Sequence, residues 1–126
     1  MTVEEVIERI RAIKPSGYDD DMLTEWVCQL EAHIHEDIVQ RCEDAPERPD
    51  FSADDRSRIE LVAPFPYDEI YLKWLQAKVD YWNGEYDRYQ NDMVMYQYAW
   101  NQFSAYWMRE HMPLKTEIQG ARGRIH

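Results

Sequence analysis

The fold turns on residues 72–107, LKWLQAKVDYWNGEYDRYQNDMVMYQYAWNQFSAYW. Within it Leu72, Leu75, Val79, Trp82, Tyr86, Tyr89, Met93, Tyr96, Trp100, Phe103 and Trp107 recur at alternating steps of three and four, the spacing of a helical seam. The phase survives Asn83-Gly84 and Gln90-Asn91-Asp92, although Asn-Gly ordinarily marks a helix end. An antiparallel turn need not preserve phase. The register therefore favours one helix from about 67 to 111, kinked or loosened near Gly84, over two separate helices. A second stripe, Tyr67, Ile70, Tyr71, Trp74, Ala77 and Tyr81, makes the first half apolar on two adjoining faces.

Two shorter helices are expected upstream. Thr2 and Glu5 have capping-box spacing, and Val3, Val6, Ile7, Ile10 and Ile13 follow on one stripe until Pro15-Ser16-Gly17 stops the helix. Asp19-Asp20-Asp21 suits a second helix start, where carboxylates meet free amides and the positive dipole end. Its stripe is Leu23, Trp26, Val27, Leu30, Ile34 and Ile38, ending near Arg41-Cys42. Residues 43–58 are acidic, contain Pro46 and Pro49, and read as an exposed loop that could order on contact with a neighbour. Ile59-Glu60-Leu61-Val62 is at most a short extended segment. The expected class is all-α: two shorter N-terminal helices packed on a long, kinked or broken C-terminal helix, as a helical domain over 1–112 and a basic tail over 113–126.

The 126 residues fit one domain and carry a net charge of −11. Residues 1–112 hold 11 Lys and Arg against 24 Asp and Glu, whereas 113–126 hold Lys115, Arg122 and Arg124 against Glu117. A surface so acidic repels nucleic-acid backbones. No run is long and apolar enough to span a bilayer, and Met1-Thr2-Val3-Glu4-Glu5 lacks a signal-peptide core, so a cytoplasmic start is expected. Cys28 and Cys42 on one helix would stand about 21 Å apart, too far for a disulfide.

Chemistry is hard to find. His33 and His35, two apart on a helix, point about 200° from one another and cannot share an ion from that helix; His35 is placed to pair with Glu31. Asp54-Asp55 and Asp68-Glu69 are explained by solvation and capping. There is no phosphate loop, nucleophile elbow or cysteine in a nucleophile context. An aromatic stacking platform for single strands would need interleaved cations that this helix lacks. No catalytic residue, cofactor or metal is expected, and the chain reads as a non-enzyme.

The short helices 1 and 2 can cover only the first half of the seam. Tyr96, Trp100, Phe103 and Trp107 are thus expected at a subunit interface, because leaving them wet forgoes about 25 cal/mol per Å² and large aromatic rings are favoured contact residues.

Pro64-Phe65-Pro66-Tyr67-Asp68-Glu69-Ile70-Tyr71, Tyr81-Trp82-Asn83-Gly84-Glu85-Tyr86-Asp87-Arg88-Tyr89-Gln90-Asn91 and His111-Met112-Pro113 resemble the small head–tail connector (adaptor) proteins of tailed bacteriophages and prophages. Thr2 to Ile10 and the Trp26 helix are similar to the same group, so the resemblance spans most of the chain. It implies a structural subunit of the virion neck, made in the bacterial cytoplasm. Such a subunit joins a ring, typically of twelve copies, on the portal protein. The ring extends the DNA channel, with DNA as passing cargo, and receives a downstream tail or stopper protein. It also implies that the C-terminal segment reaches the portal, here through Leu114, Lys115, Ile118, Arg122 and Arg124. The competing reading is an acidic regulatory module, a protein inhibitor or nucleic-acid mimic. The gathering of acids at 19–21 and 43–55 speaks against an ordered mimicking surface.

Overall fold

The computed structural model describes residues 1–114. Four α-helices appear among them: α1 (Val3–Ile13), α2 (Asp20–Asp37), α3 (Glu69–Trp82) and α4 (Tyr86–Glu110). Short 3-10 turns lie at Val39–Arg41 and Arg56–Arg58.

α1 begins as its sequence dictates. The Glu5 amide donates to the Thr2 hydroxyl at 3.2 Å and the Thr2 amide donates to the Glu5 carboxylate at 3.3 Å, satisfying two amides that have no partner within the helix. Val3, Val6, Ile7 and Ile10 are buried, while Ile13, expected on the same stripe, lies exposed at the last turn. Asp19 caps α2 by accepting from the Met22 amide at 2.9 Å. Every residue of the expected α2 stripe is buried; Thr24, Cys28, Glu31 and His35 are buried as well. The helix is therefore covered over more than one face. It ends at Asp37, and a 3-10 turn carries the chain on to Cys42.

The decisive difference from the sequence reading is at Asn83-Gly84. The favoured single helix is broken there. Gly84 has φ +77°, a backbone state that costs glycine little and a side-chain-bearing residue more. The Asn83 and Gly84 amides close the last turn of α3 on the Val79 and Tyr81 carbonyls, and the Glu85 amide donates back to the Asp80 carbonyl at 2.9 Å. α4 then returns antiparallel along α3. Trp74 meets Tyr96 with ring centroids 5.0 Å apart, and Tyr67 stacks on Tyr106 at 4.4 Å.

This fold-back corrects the expectation that Tyr96, Trp100, Phe103 and Trp107 outrun the subunit. Tyr96, Phe103 and Trp107 are buried and Trp100 is half-buried, all against the same core as Leu72, Leu75 and Val79. Away from the turn, the two halves of the seam cover one another. Each arm of the hairpin carries its own inward apolar stripe, and the common phase across the turn does not require one continuous helix.

α2 lies across α3, held by the Trp74 indole N–H donating to the Trp26 carbonyl at 2.8 Å. α1 packs on both α2 and α3, and Val3, Ile10, Leu30, Ile34, Ile70 and Leu75 meet in one core. The extended segment before α3 runs beside the N-terminus: the Val3 amide donates to the Ile59 carbonyl and the Leu61 amide to the Met1 carbonyl, around an isolated Thr2–Glu60 bridge. The acidic loop is largely exposed but tethered within the subunit. Arg56 pairs with Glu25 of α2 at 2.6 Å, Gln40 donates to the Pro46 carbonyl, and Phe51 sets its ring edgewise to His35.

Candidate functional site: the outer face and tip of the α3–α4 hairpin

Among the described residues three places concentrate either polar chemistry or uncovered apolar surface, and the first is sealed. Glu31 is fully buried on α2. It accepts from the Tyr71 hydroxyl at 2.7 Å through Oε1 and from the Val62 amide at 2.8 Å through Oε2. The Ala63 amide in turn donates to the Tyr71 oxygen at 3.0 Å. Burial pushes the Glu31 carboxyl up to about 7, against the pull of those two donors toward the charged form. The same burial holds His35 below its ordinary value, with Arg48 adding to the effect, so the Nε2–Glu31 distance of 3.9 Å is a loose contact. The expected His35–Glu31 proximity is present, but as part of a buried network. It anchors the segment 62–63 over the α2–α3 junction. His33 is exposed and His35 buried, on different faces, so the two imidazoles do not converge. Among the described residues no group of His, Cys, Asp and Glu is arranged to hold a metal ion. Cys28 and Cys42 are both free and buried, and burial raises both thiols.

The second place lies beneath the hairpin tip. Lys14 ends α1 and sets its ammonium 2.5 Å from Asp80 Oδ1, and Asp80 is 1% exposed. Asp92 of α4 faces the same carboxylate. Burial and the Asp80 charge push Asp92 up to about 6. Asp80 would be raised by burial, but the hydrogen bond from Asp92 and the Lys14 ammonium outweigh that and hold it below the usual carboxylate range. Two neighbouring carboxylates beside one lysine make a joint between α1, α3 and α4.

The third place is uncovered surface. Tyr81, Trp82 and Tyr86 form the aromatic tip of the hairpin. Trp82 is 55% and Tyr86 60% exposed. Tyr81 packs edgewise on both at 5.6 and 6.0 Å, and Tyr89 completes the group at 5.2 Å from Tyr81. Further along, the outward side of α4 shows Val94, Met95 and Tyr98, with Tyr98 63% exposed, and Phe65 before α3 is 85% exposed. Between Pro66, Tyr67, Lys73, Met95, Tyr98 and Ala99 runs a groove of about 310 Å³. Single exposed apolar residues are ordinary; clusters of large ones on an acidic body mark contact surfaces.

Tyr96, Phe103 and Trp107 thus point into the subunit, and the fold places Phe65, Tyr81, Trp82, Tyr86, Met95 and Tyr98 on the outside instead. The signal that could have found the tip was Asn83-Gly84 itself. Had the pair been read as a turn, Trp82 and Tyr86 would have fallen at a hairpin end with nothing above them. Leu114, expected to dock on a portal, has its backbone tied to the subunit by its amide donating to the Arg41 carbonyl at 2.8 Å, beside a Cys42–Pro113 bridge, while its side chain stays exposed. Lys115, Ile118, Arg122 and Arg124 lie outside the described residues. No described helix is long and apolar enough to cross a membrane. No family model matches the chain, and neither a curated protein nor a solved structure does.

Proposed function

We propose that the chain is a non-enzymatic assembly subunit of a tailed-phage or prophage virion, a head–tail connector or adaptor that joins a ring on the portal. In this reading the subunit meets neighbouring copies, typically twelve in the ring, the portal protein on one side and a tail or stopper protein on the other. DNA passes through without a specific contact. The observation that carries the reading is the uncovered aromatic and thioether surface of the α3–α4 hairpin on an otherwise acidic helical body. Such a surface gains from burial against a partner.

The resemblance in Pro64–Tyr71, Tyr81–Asn91 and His111–Pro113 supports the same reading, and those segments border the uncovered surface. Absence of a polar constellation open to a substrate among the described residues is compatible with it, but carries no weight alone. A strongly acidic channel lining would let DNA slide without sticking. Portal contact falls to the basic residues Lys115, Arg122 and Arg124.

The test is to mix the purified full chain with the portal protein encoded beside it and to image the mixture by electron microscopy. A ring of subunits seated on the portal is the expected result, and Arg122→Glu with Arg124→Glu should reduce seating by tenfold or more. A portal that stays bare at high subunit concentration would end the connector reading.

A further inference from the structure

The aromatic tip stands in an unusual electrostatic setting. The Tyr18 hydroxyl donates to Asn83 Oδ1 at 2.9 Å, which pins the α1–α2 connection, and with it the exposed acids Asp19, Asp20 and Asp21, beside the tip. Glu85 and Asp87 are exposed on its other flank. The cations at this end are already engaged: Arg11 with Asp20 at 2.7 Å, Lys14 with Asp80, and Arg88 with Glu85 at 2.9 Å. Trp82 and Tyr86 therefore offer ring faces within a net negative rim. That combination suits a segment carrying guanidinium or ammonium groups, which stack on such faces and pair with carboxylates.

The chain contains one stretch of that chemistry. Residues 113–126 carry Lys115, Arg122 and Arg124 against Glu117, with Ile118 and Ile125 as apolar companions. It leaves the fold at the pole opposite the tip, because Leu114 is tied to Arg41 beyond the far end of α4. α4 has 25 residues and is about 37 Å long at ~1.5 Å per residue. Arg124 stands ten residues after Leu114 and reaches at most about 36 Å even when fully extended. A backbone of about 36 Å only matches the length of α4, so a chain's own tip calls for a fully stretched segment, whereas the tip of a second copy sets no such demand.

We infer that, before a portal is met, the Tyr81–Trp82–Tyr86 tip of one copy receives the basic segment around Arg122 and Arg124 of a second copy, a head-to-tail contact. Such a contact is heterologous, the kind that propagates into rings when the rotation closes. This deepens the assembly reading by naming the surface and its occupant, yet it is tested without a portal. Failure here leaves portal docking standing, and failure of portal docking leaves this contact standing.

The experiment uses full chains only. A nitroxide is attached to Arg124→Cys, where the native Cys28 and Cys42 are buried, and this chain is mixed with unlabelled-cysteine, nitrogen-15-labelled wild type. Intermolecular broadening of the Trp82 indole signal and the Gly84 amide is expected. It should fall at least tenfold in 0.5 M salt and in a labelled Asp21→Lys partner, and be restored when Asp21→Lys is matched with Arg122→Glu in the nitroxide chain. Trp82→Ala should remove the broadening at Gly84 while the remaining spectrum keeps its dispersion. Broadening centred on the Tyr98 groove, or none at millimolar protein, overturns the inference.

Discussion

The Tyr71 hydroxyl donates to Glu31 Oε1 at 2.7 Å across the α2–α3 junction while accepting from the Ala63 amide at 3.0 Å. One side chain thus joins two helices and the extended segment that precedes α3. Tyr71→Phe deletes both bonds and leaves a buried amide and a buried carboxyl oxygen short of a partner. Unmet buried groups cost more than the bond itself is worth, so the variant should lose about 2–3 kcal/mol in chemical denaturation. A loss below about 0.5 kcal/mol would mean that water or a rearranged segment 62–63 replaces the hydroxyl.

Glu31 makes the same junction sensitive to pH. Its carboxyl stands at about 7 in the fold against 4.5 for an exposed group. A carboxyl raised by folding favours the fold only while protonated. Its contribution is complete below pH ~4.5 and is lost as pH climbs to about 7, a change of roughly 3 kcal/mol at most. Glu31→Gln keeps the shape and an acceptor for the Val62 amide and removes the titration. The expected outcome is a flatter stability curve between pH 5 and 8, with the variant gaining on wild type as pH rises. Parallel curves would place the ionisation elsewhere.

Gly84 adopts φ +77° with nothing within 4 Å of where a Cβ would sit, so only backbone conformation opposes a side chain there. Gly84→Ala should cost about 1 kcal/mol, and Gly84→Asn, which tolerates the left-handed region better, less than half as much. Equal stability of wild type and Gly84→Ala would argue for a continuous helix through the turn. The comparison is made by thermal denaturation with helicity followed by circular dichroism.

That turn is also where legibility ended. The helical class, the α1 capping box, the Asp19 start of α2 and the stripe from Leu23 to Ile38 followed from local pattern, because capping and periodicity are decided within a few residues. Which side of α4 would be covered was not local. It depended on whether residue 84 reversed the chain, and a seam with a period of 3.5 reads alike in one long helix and in two arms folded together. Only tertiary contact, such as Tyr67 on Tyr106, separates the two. The Lys14–Asp80–Asp92 joint was invisible for the same reason, since its members come from three helices. At the site, Trp82 shares the seam's spacing yet lies outside because it sits at the turn, and Tyr98 lies off the seam on the outward side of α4.

Phe103 and Tyr98 lie little more than one turn apart on α4 and should respond oppositely. Phe103 is fully buried, and Phe103→Ala removes a ring from the core, which typically costs 3–5 kcal/mol. Tyr98→Ala truncates an exposed ring and should stay within about 0.5 kcal/mol. If the hairpin were open and the seam shared between subunits, the loss at Phe103 would shrink on dilution. Denaturation midpoints at two protein concentrations a hundredfold apart distinguish the cases, and concentration-independent midpoints are expected for the closed hairpin.

The Asp80–Asp92 pair gives a second titration, with the sign set by which member is raised. Asp92 is pushed up to about 6, so its favourable contribution is complete below pH ~3.8 and is lost as pH rises to about 6, when two neighbouring carboxylates must both be charged beside one lysine. Asp80 is held low, and its contribution with Lys14 persists until pH falls through that lowered value. Asp92→Asn fixes the proton-bearing state and should raise stability at pH 8, by on the order of 1 kcal/mol after allowance for solvent screening, with the gain vanishing below pH ~4. Asp80→Asn should do the reverse, because it strands the Lys14 ammonium 2.5 Å from a neutral amide. If Asp92→Asn instead destabilises at pH 8, the two carboxylates are not in contact and Lys14 serves both. A carboxyl carbon titration of Asp92 by NMR, with a midpoint near 6 that drops toward 4 in Asp80→Asn, separates coupling through the pair from burial alone.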